Sequence, residues 1–161
     1  MYRFWETVIK PLMEMTDARS VLEIGAQNGY TTKKIIEYMN IKKGKTESID
    51  PYPNFDYRSW EQDNGCAFKM HLGLSLEILP ALQPFDVYLV DGDHNWYTVY
   101  HELECIKDAC KTKDTLIILH DIDWPYARRD LYYNPENIPE EYRNTYEKKG
   151  IKYGFIELQE D

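Results

Sequence analysis

The stretch "SVLEIGAQNGY", residues 20–30, decides the fold. A short apolar run stops at Gly25, and from Tyr30 the apolar residues return at helical intervals. In "YTTKKIIEYMN" (30–40) they fall at Ile35, Ile36 and Met39, with Thr31 or Thr32 placed to cap the helix. A strand delivered into a helix through glycines opens an α/β unit. The glycines stand where backbone can approach a ligand and the helix N-terminus points toward it.

Outward from this unit the alternation repeats. "KTESID" (45–50), "CAFKMHL" (66–72), "FDVYLVDG" (85–92) and "DTLIILHD" (114–121) read as further strands. A short helix over "SLEILPAL" separates the third from the fourth. A longer one, "NWYTVYHELECIKDACK", separates the fourth from the fifth, with Val99, Leu103, Ile106 and Ala109 or Cys110 as its apolar stripe. Strands such as "VYLV" and "LIIL" do not alternate, which fits strands covered on both faces. The order predicts a three-layer, Rossmann-like, doubly wound α/β fold with a mostly parallel sheet, because parallel neighbours need crossovers. Ligands in such sheets sit beyond the carboxyl ends of the strands, and Gly25, Asp50, His71, Asp91 and His120 all fall at those ends. A leading helix is expected over residues 1–16, packed through Phe4, Val8, Ile9 and Leu12 and interrupted by Pro11. After residue 121 comes a loop to residue 138, a polar helical stretch and a short strand, "KYGFIEL".

A chain of 161 residues is the size of one domain, so residues 1–161 are expected to form a single unit. The formal charge of −9 opposes a nucleic-acid partner, since such affinity rests on Lys and Arg displacing counterions. A small-molecule or glycan partner suits that charge better. No apolar run approaches the ~20 residues of a bilayer span, and "MYRFWETVIKP" lacks a secretory layout, so no membrane and a cytoplasmic location are expected. Cys66, Cys105 and Cys110 have no metal-ligand spacing and read as buried free thiols. Homo-oligomerisation is left open.

Asp50, closing the second strand, is placed to accept both hydroxyls of a ribose. The plain alternatives are that Gly29 only permits close helix packing and that Asp50 caps the "PYPN" turn. Gln27 and Tyr30 stand where the NAD fingerprint wants glycine, and no Gly-Lys-Ser/Thr makes a Walker loop. A nucleoside ligand other than a dinucleotide is the expectation.

With "VLEIGAQNG", "SIDPYP", "FDVYLVDGDH" and "LIILHDIDWP" in this order, residues 20–126 resemble the class I S-adenosylmethionine-dependent methyltransferases. The resemblance is to the small bacterial O-methyltransferase group, which includes macrocin O-methyltransferases and cephalosporin-hydroxylase-like proteins, and more distantly to catechol O-methyltransferases. It implies S-adenosyl-L-methionine bound by the loop of Gly25, Ala26 and Gly29, with Glu23 and Gly25 facing the methionine portion. Asp50 would hold the ribose, and His71 to Ser75 the adenine. Asp91 would border the cofactor and share the chemistry. The family's last two strands are not both evident, so the sheet is expected to be shortened at its C-terminal end.

The resemblance also implies a divalent cation, Mg²⁺ or another, on Asp91 and Asp121, with His120 or Asp123 beside them. His94 falls where the catechol-type relatives carry a catalytic lysine. An imidazole titrating near neutrality suits a general base, so His94 is the expected one and Asp93 its orienting neighbour. The plain alternative is a "DGD" turn with His94 at a helix start. His101 reads as structural. Trp124, Tyr126, Arg128 and Arg129 form the expected substrate side, since aromatic faces cover planar groups and arginine forks onto carboxylates or phosphates. A loop fixed by Tyr132, Tyr133 and an arginine pair with Asp130 explains them equally.

O-methylation of a small hydroxylated metabolite or of a sugar or glycan is the activity these expectations add up to. A non-catalytic nucleoside-binding or assembly domain, and a nicotinamide-dependent oxidoreductase, are the alternatives.

Overall fold

Ser20–Ile24 form strand β1, and every one of these residues is buried, as an apolar run covered on both faces must be. The structure is a computed structural model and describes residues 1–111, 114–122, 138–140 and 142. Helix α2 (Tyr30–Lys42) follows β1, then β2 (Lys45–Ile49), α3 (Tyr57–Asn64), β3 (Phe68–His71) and the single-turn α4 (Ser75–Ile78). Strand β4 (Val87–Val90), α5 (Trp96–Ala109) and β5 (Leu116–Leu119) complete the series, while α1 (Lys10–Met15) precedes it. Among the described residues the five strands are all parallel, in the order β3-β2-β1-β4-β5. This is the doubly wound α/β sheet that the alternation predicts. Expected strand "KYGFIEL" lies outside the described residues.

Alternate residues of each strand serve opposite faces. Val21, Val87 and Leu89 meet Ile35, Tyr38 and Met39 of α2 and Trp5, Ile9 and Met13 of the N-terminal segment. Leu22, Ile24, Tyr88 and Val90 meet Leu79, Phe85 and Ile106 of α5 on the other side. Phe68 and Met70 of β3 pack with Ile36 and with Phe55, Tyr57 and Trp60 around α3.

The N-terminal segment departs from the predicted single helix. A 3-10 turn (Tyr2–Phe4) and a π-helical turn (Trp5–Ile9) lead into α1, and Lys10 N–H bonds the Trp5 carbonyl. Pro11, which has no N–H to donate, falls in the first turn of α1, where none is needed. The wider turn buries Trp5, Ile9 and Met13, leaving Phe4 and Val8 exposed and Leu12 half-buried. Helix α5 is likewise rotated from its expected stripe: Thr98, Glu102 and Ile106 are buried, Val99 and Leu103 only half-buried, and Ala109 exposed. Gly29 is the N-cap of α2, and Thr31 and Thr32 sit inside its first turn rather than capping it. The thiols are free, but Cys66 is exposed and Cys105 and Cys110 are half-buried. Among the described residues no helix is long and apolar enough to cross a membrane.

Register aligns the carboxyl ends. Ile24 pairs with Ile49 and with Val90, Ile49 with His71, and Val90 with Leu119. The next residues, Leu72, Asp50, Gly25, Asp91 and His120, therefore stand in one row along the sheet. Between β1 and β4 the chain reverses direction of winding, and there Gly25 adopts φ +88°. A Cβ on Gly25 would stand 2.2 Å from the Asp91 carbonyl oxygen and 2.7 Å from the Gly92 Cα. Gly25→Ala is expected to destabilise the fold by more than about 3 kcal/mol, combining the left-handed strain with a backbone clash. Gly65→Ala, at φ +55° and ψ −129° with open space around it, should meet backbone strain alone, about 1–3 kcal/mol. Urea denaturation of the two variants reads the difference.

Candidate active site

Beyond this row lies a cleft of about 1190 Å³, large enough for a nucleoside-sized ligand. Its middle is the crossing of β1 and β4. Gly25, Ala26, Gln27 and Asn28 form one lip, and Asp91 and Gly92 the other. Gly29 stands behind the lip, at φ +74°, with the rings of Phe55 and Trp60 about 3 Å from where a Cβ would be. Its role is the close packing that the plain alternative described.

Asp50 lines the cleft beside that lip and is 9% exposed. Its Oδ2 accepts the Gln27 N–H at 2.8 Å and its Oδ1 the Tyr52 N–H at 2.7 Å. The carboxylate thus caps the turn after β2 and also ties it to the glycine loop. Each oxygen keeps a further acceptor position. Past Asp50, the wall is Leu72, Gly73, Leu74 and Ser75. His71 is not part of it, because its Nε2 turns to Glu47 Oε2 at 2.6 Å. That hydrogen bond holds the Glu47 carboxyl below its usual range.

Glu23 also stands back from the cleft. It is 2% exposed, and its Oε2 accepts from the Thr32 hydroxyl at 2.5 Å and the Ser48 hydroxyl at 2.9 Å. Burial pushes its carboxyl up to about 7, against the pull of those two bonds.

At the opposite end four titratable groups converge. His120 Nδ1 is 3.0 Å from both Asp91 Oδ1 and Asp121 Oδ1. That nitrogen is buried and makes no hydrogen bond to either. His94 Nε2 is 3.6 Å from Asp121 Oδ2 and 4.0 Å from Asp91 Oδ1. Asp121 is held at φ +53°, a left-handed backbone that a non-glycine residue adopts at a cost. One donor atom each from Asp91, His94 and Asp121 lie within 4.8 Å of one another, with the expected His120 beside both carboxylates. The amino group of Met1 lies 2.7 Å from Asp91 Oδ2.

Asp93 accepts the Asn95 N–H at 3.0 Å and the Thr98 hydroxyl at 2.8 Å, shaping the entry to α5. His101 packs against the rings of Tyr97, Tyr100 and Tyr142. Asp123, Trp124, Tyr126, Arg128, Arg129, Asp130, Tyr132 and Tyr133 lie outside the described residues.

Some cleft residues carried no sequence signal. Tyr2 borders the cleft with its ring 5.8 Å from that of Tyr30, although the leading segment read only as packing. Tyr52, 88% exposed on the rim, sits in what read as turn chemistry.

Fold and cleft together define a doubly wound α/β protein with a cleft at the topological switch point. The family model described as methyltransferase domain matches residues 22–122, and the chain belongs to that family. Among solved structures it is similar to the S-adenosylhomocysteine-bound methyltransferase PaMTH1 of Podospora anserina, at 19% identity and TM-score 0.58, over 69% of this chain and 49% of that one. It is also similar to the O-methyltransferase TomG of Streptomyces achromogenes, involved in tomaymycin synthesis and solved with S-adenosylmethionine, at 21% identity and TM-score 0.56, over 74% of this chain and 60% of that one. At these identities the likeness is one of fold, and the chain spans about half to 60% of their length. No curated protein matches the sequence.

A raised carboxyl makes stability depend on pH. Glu23 holds its proton to about pH 7 when folded but only to about 4.5 when unfolded. Between those values the native state binds more protons, so stability falls as pH rises, by up to ~1.4 kcal/mol per pH unit for this group. Glu23→Gln keeps an oxygen for Thr32 and Ser48 and is expected to flatten that decline between pH 5 and 7. Denaturation midpoints across that range measure it.

Proposed function

We propose that this chain is an S-adenosylmethionine-dependent O-methyltransferase acting on a small hydroxylated metabolite or on a sugar or glycan. The observation that carries the reading is one cleft with Asp50 toward one end, the Asp91, His94 and Asp121 group at the other, and a lip without side chains at Gly25 and Gly92 between them. The residues fit the cofactor. Asp50 offers its remaining acceptor positions to the two hydroxyls of a ribose, the apolar wall of Leu72 and Leu74 suits a flat base, and Gly25 lets an extended aliphatic chain pass against backbone. That two solved structures of the same fold hold S-adenosylmethionine or its demethylated product supports the choice.

When bound, the cofactor supplies an electrophilic methyl group on a sulfonium. The chain's own residues then have three tasks. Asp91 and Asp121 place negative charge beside the positive sulfur. The acceptor hydroxyl is held in line with the methyl group, a positioning effect that supplies several kcal/mol. His94 takes the acceptor's proton, and the two carboxylates at 3.6 and 4.0 Å stabilise the imidazolium that results. A divalent cation is a second use of the same atoms: two carboxylates and an imidazole suit Mg²⁺ or Mn²⁺, which would polarise the acceptor oxygen.

Calorimetry is expected to show binding of S-adenosylhomocysteine and none of NAD. Asp50→Ala should weaken the former roughly 10- to 100-fold, through loss of charge-assisted hydrogen bonds. His94→Ala should lower kcat by ~10²–10⁴ over a panel of hydroxylated acceptors, with cofactor affinity kept. Loss of turnover in chelator, restored by Mg²⁺ in the parent but not in Asp121→Asn, selects the cation. Binding of NAD alone would point to an oxidoreductase, and cofactor binding without methyl transfer to a non-catalytic domain.

A further inference from the structure

Glu102 occupies a place on α5 that an apolar residue would be expected to fill. It is 0% exposed, in the stripe of Thr98 and Ile106 that faces the core. Its Oε1 accepts from the Ser75 hydroxyl, while its Oε2 is buried with no hydrogen-bond partner. Ser75, the first residue of α4, lines the cleft beside Leu72 and Leu74, beyond Asp50 from the reactive end. Glu102 therefore does not touch the cleft. It reaches the cleft wall through one hydroxyl.

A carboxylate with one hydrogen bond in such a place is poorly compensated, and burial pushes its carboxyl up to about 8. The Asp93 carboxylate, in the loop before α5, adds to the upward push. Of the elements around it, α4 brings Ser75 and the exposed Glu77, and the turn at Leu79–Ala81 brings no titratable group. Helix α5 itself brings His101 and Cys105, whose thiol is raised by burial and by neighbouring carboxylates. On β4 the titratable group is Tyr88, whose hydroxyl engages Phe85 N–H and Cys110.

We propose that Glu102 is a positioning residue for the base end of the cleft: it fixes the Ser75 hydroxyl and decides whether that hydroxyl offers a proton or a lone pair to the edge of a bound purine. The inference rests on the S-adenosyl reading. An ionised Glu102 can only accept, so Ser75 spends its proton on it and turns a lone pair to the cleft, which suits the 6-amino group of adenine. A protonated Glu102 donates to Ser75 instead, and the serine proton is freed toward ring nitrogens. Alkaline pH thus strengthens recognition of the amino group.

The test compares S-adenosylhomocysteine with its analogue bearing purine in place of adenine, which lacks only the 6-amino group. Dissociation constants of both are measured from about pH 6 to about pH 10, and the ionisation of the shared homocysteine cancels in their ratio. In the parent the preference for adenine is expected to grow roughly 3- to 10-fold as pH rises through about 8. In Glu102→Gln, which keeps the volume, the preference should not change with pH. In Ser75→Ala, a second variant that leaves the core glutamate in place, it should fall to near one at every pH. A flat ratio in the parent, or an unchanged rise in either variant, overturns the inference while leaving the S-adenosyl reading standing. Failure of the parent to bind S-adenosylhomocysteine at all overturns both.

Discussion

The carbonyl of Asp91 passes so close to the Cα of Gly25 that no side chain fits between them. This contact lets the ends of β1 and β4 meet at the one point where the sheet's winding reverses, with Gly25 N–H bonded to Ile49 and Asp91 N–H to Ile24. From it follow the row of strand ends, the direction in which the glycine loop leaves, and the fact that Asp50 and Asp91 flank the same opening. A wider approach here would separate the two ends of the cleft. The ligand site is therefore a consequence of backbone packing before it is one of side-chain chemistry.

The placement of charge follows from the same geometry. At strand ends the backbone leaves the sheet and polar groups approach solvent, so Asp91, His94 and Asp121 keep partial exposure and mutual contact, while Asp50 lines the cleft apart from them. Glu23, one side chain further in, is committed to hydroxyls inside the fold. Two carboxylates on neighbouring strand ends and one just below β1 thus play different parts. Depth below the cleft, set by strand register, separates the groups that line it from those that hold the floor.

The strands and their order were legible because apolar runs bounded by glycine and acidic residues leave few alternatives, and Gly25 and Asp50 were legible because a strand end admits few residue types. Helical stripes were less so. In the N-terminal segment burial falls at Trp5, Ile9 and Met13, a helical i, i+4, i+8 stripe one position on from the expected Phe4, Val8 and Leu12, and nothing in the spacing of apolar residues chooses between the two. In α5 the buried stripe carries Thr98 and Glu102, which a search for apolar residues passes over in favour of Val99 and Leu103. His71 was placed correctly on its strand but its ring turns to Glu47, a choice made by a neighbouring strand and invisible along the chain. The acidic group shows the same limit: His120, expected there, stands 3.0 Å from both carboxylates, and His94, expected as a base, joins them at 3.6 and 4.0 Å.

The buried acids share a design. Glu23 and Glu102 lie on opposite sides of the sheet, and both are bonded to hydroxyls, Thr32 and Ser48 in one case and Ser75 in the other. A buried arginine or lysine partner would hold each carboxyl ionised and low. Hydroxyls compensate a charge only partly, so burial wins and both carboxyls are pushed up, to about 7 and about 8. The interior beneath the cleft then carries less negative charge than two exposed carboxylates would. In the proposed reading a cationic sulfonium is drawn to Asp91 and Asp121 at the mouth of the cleft, carboxylates nearer to it than those below.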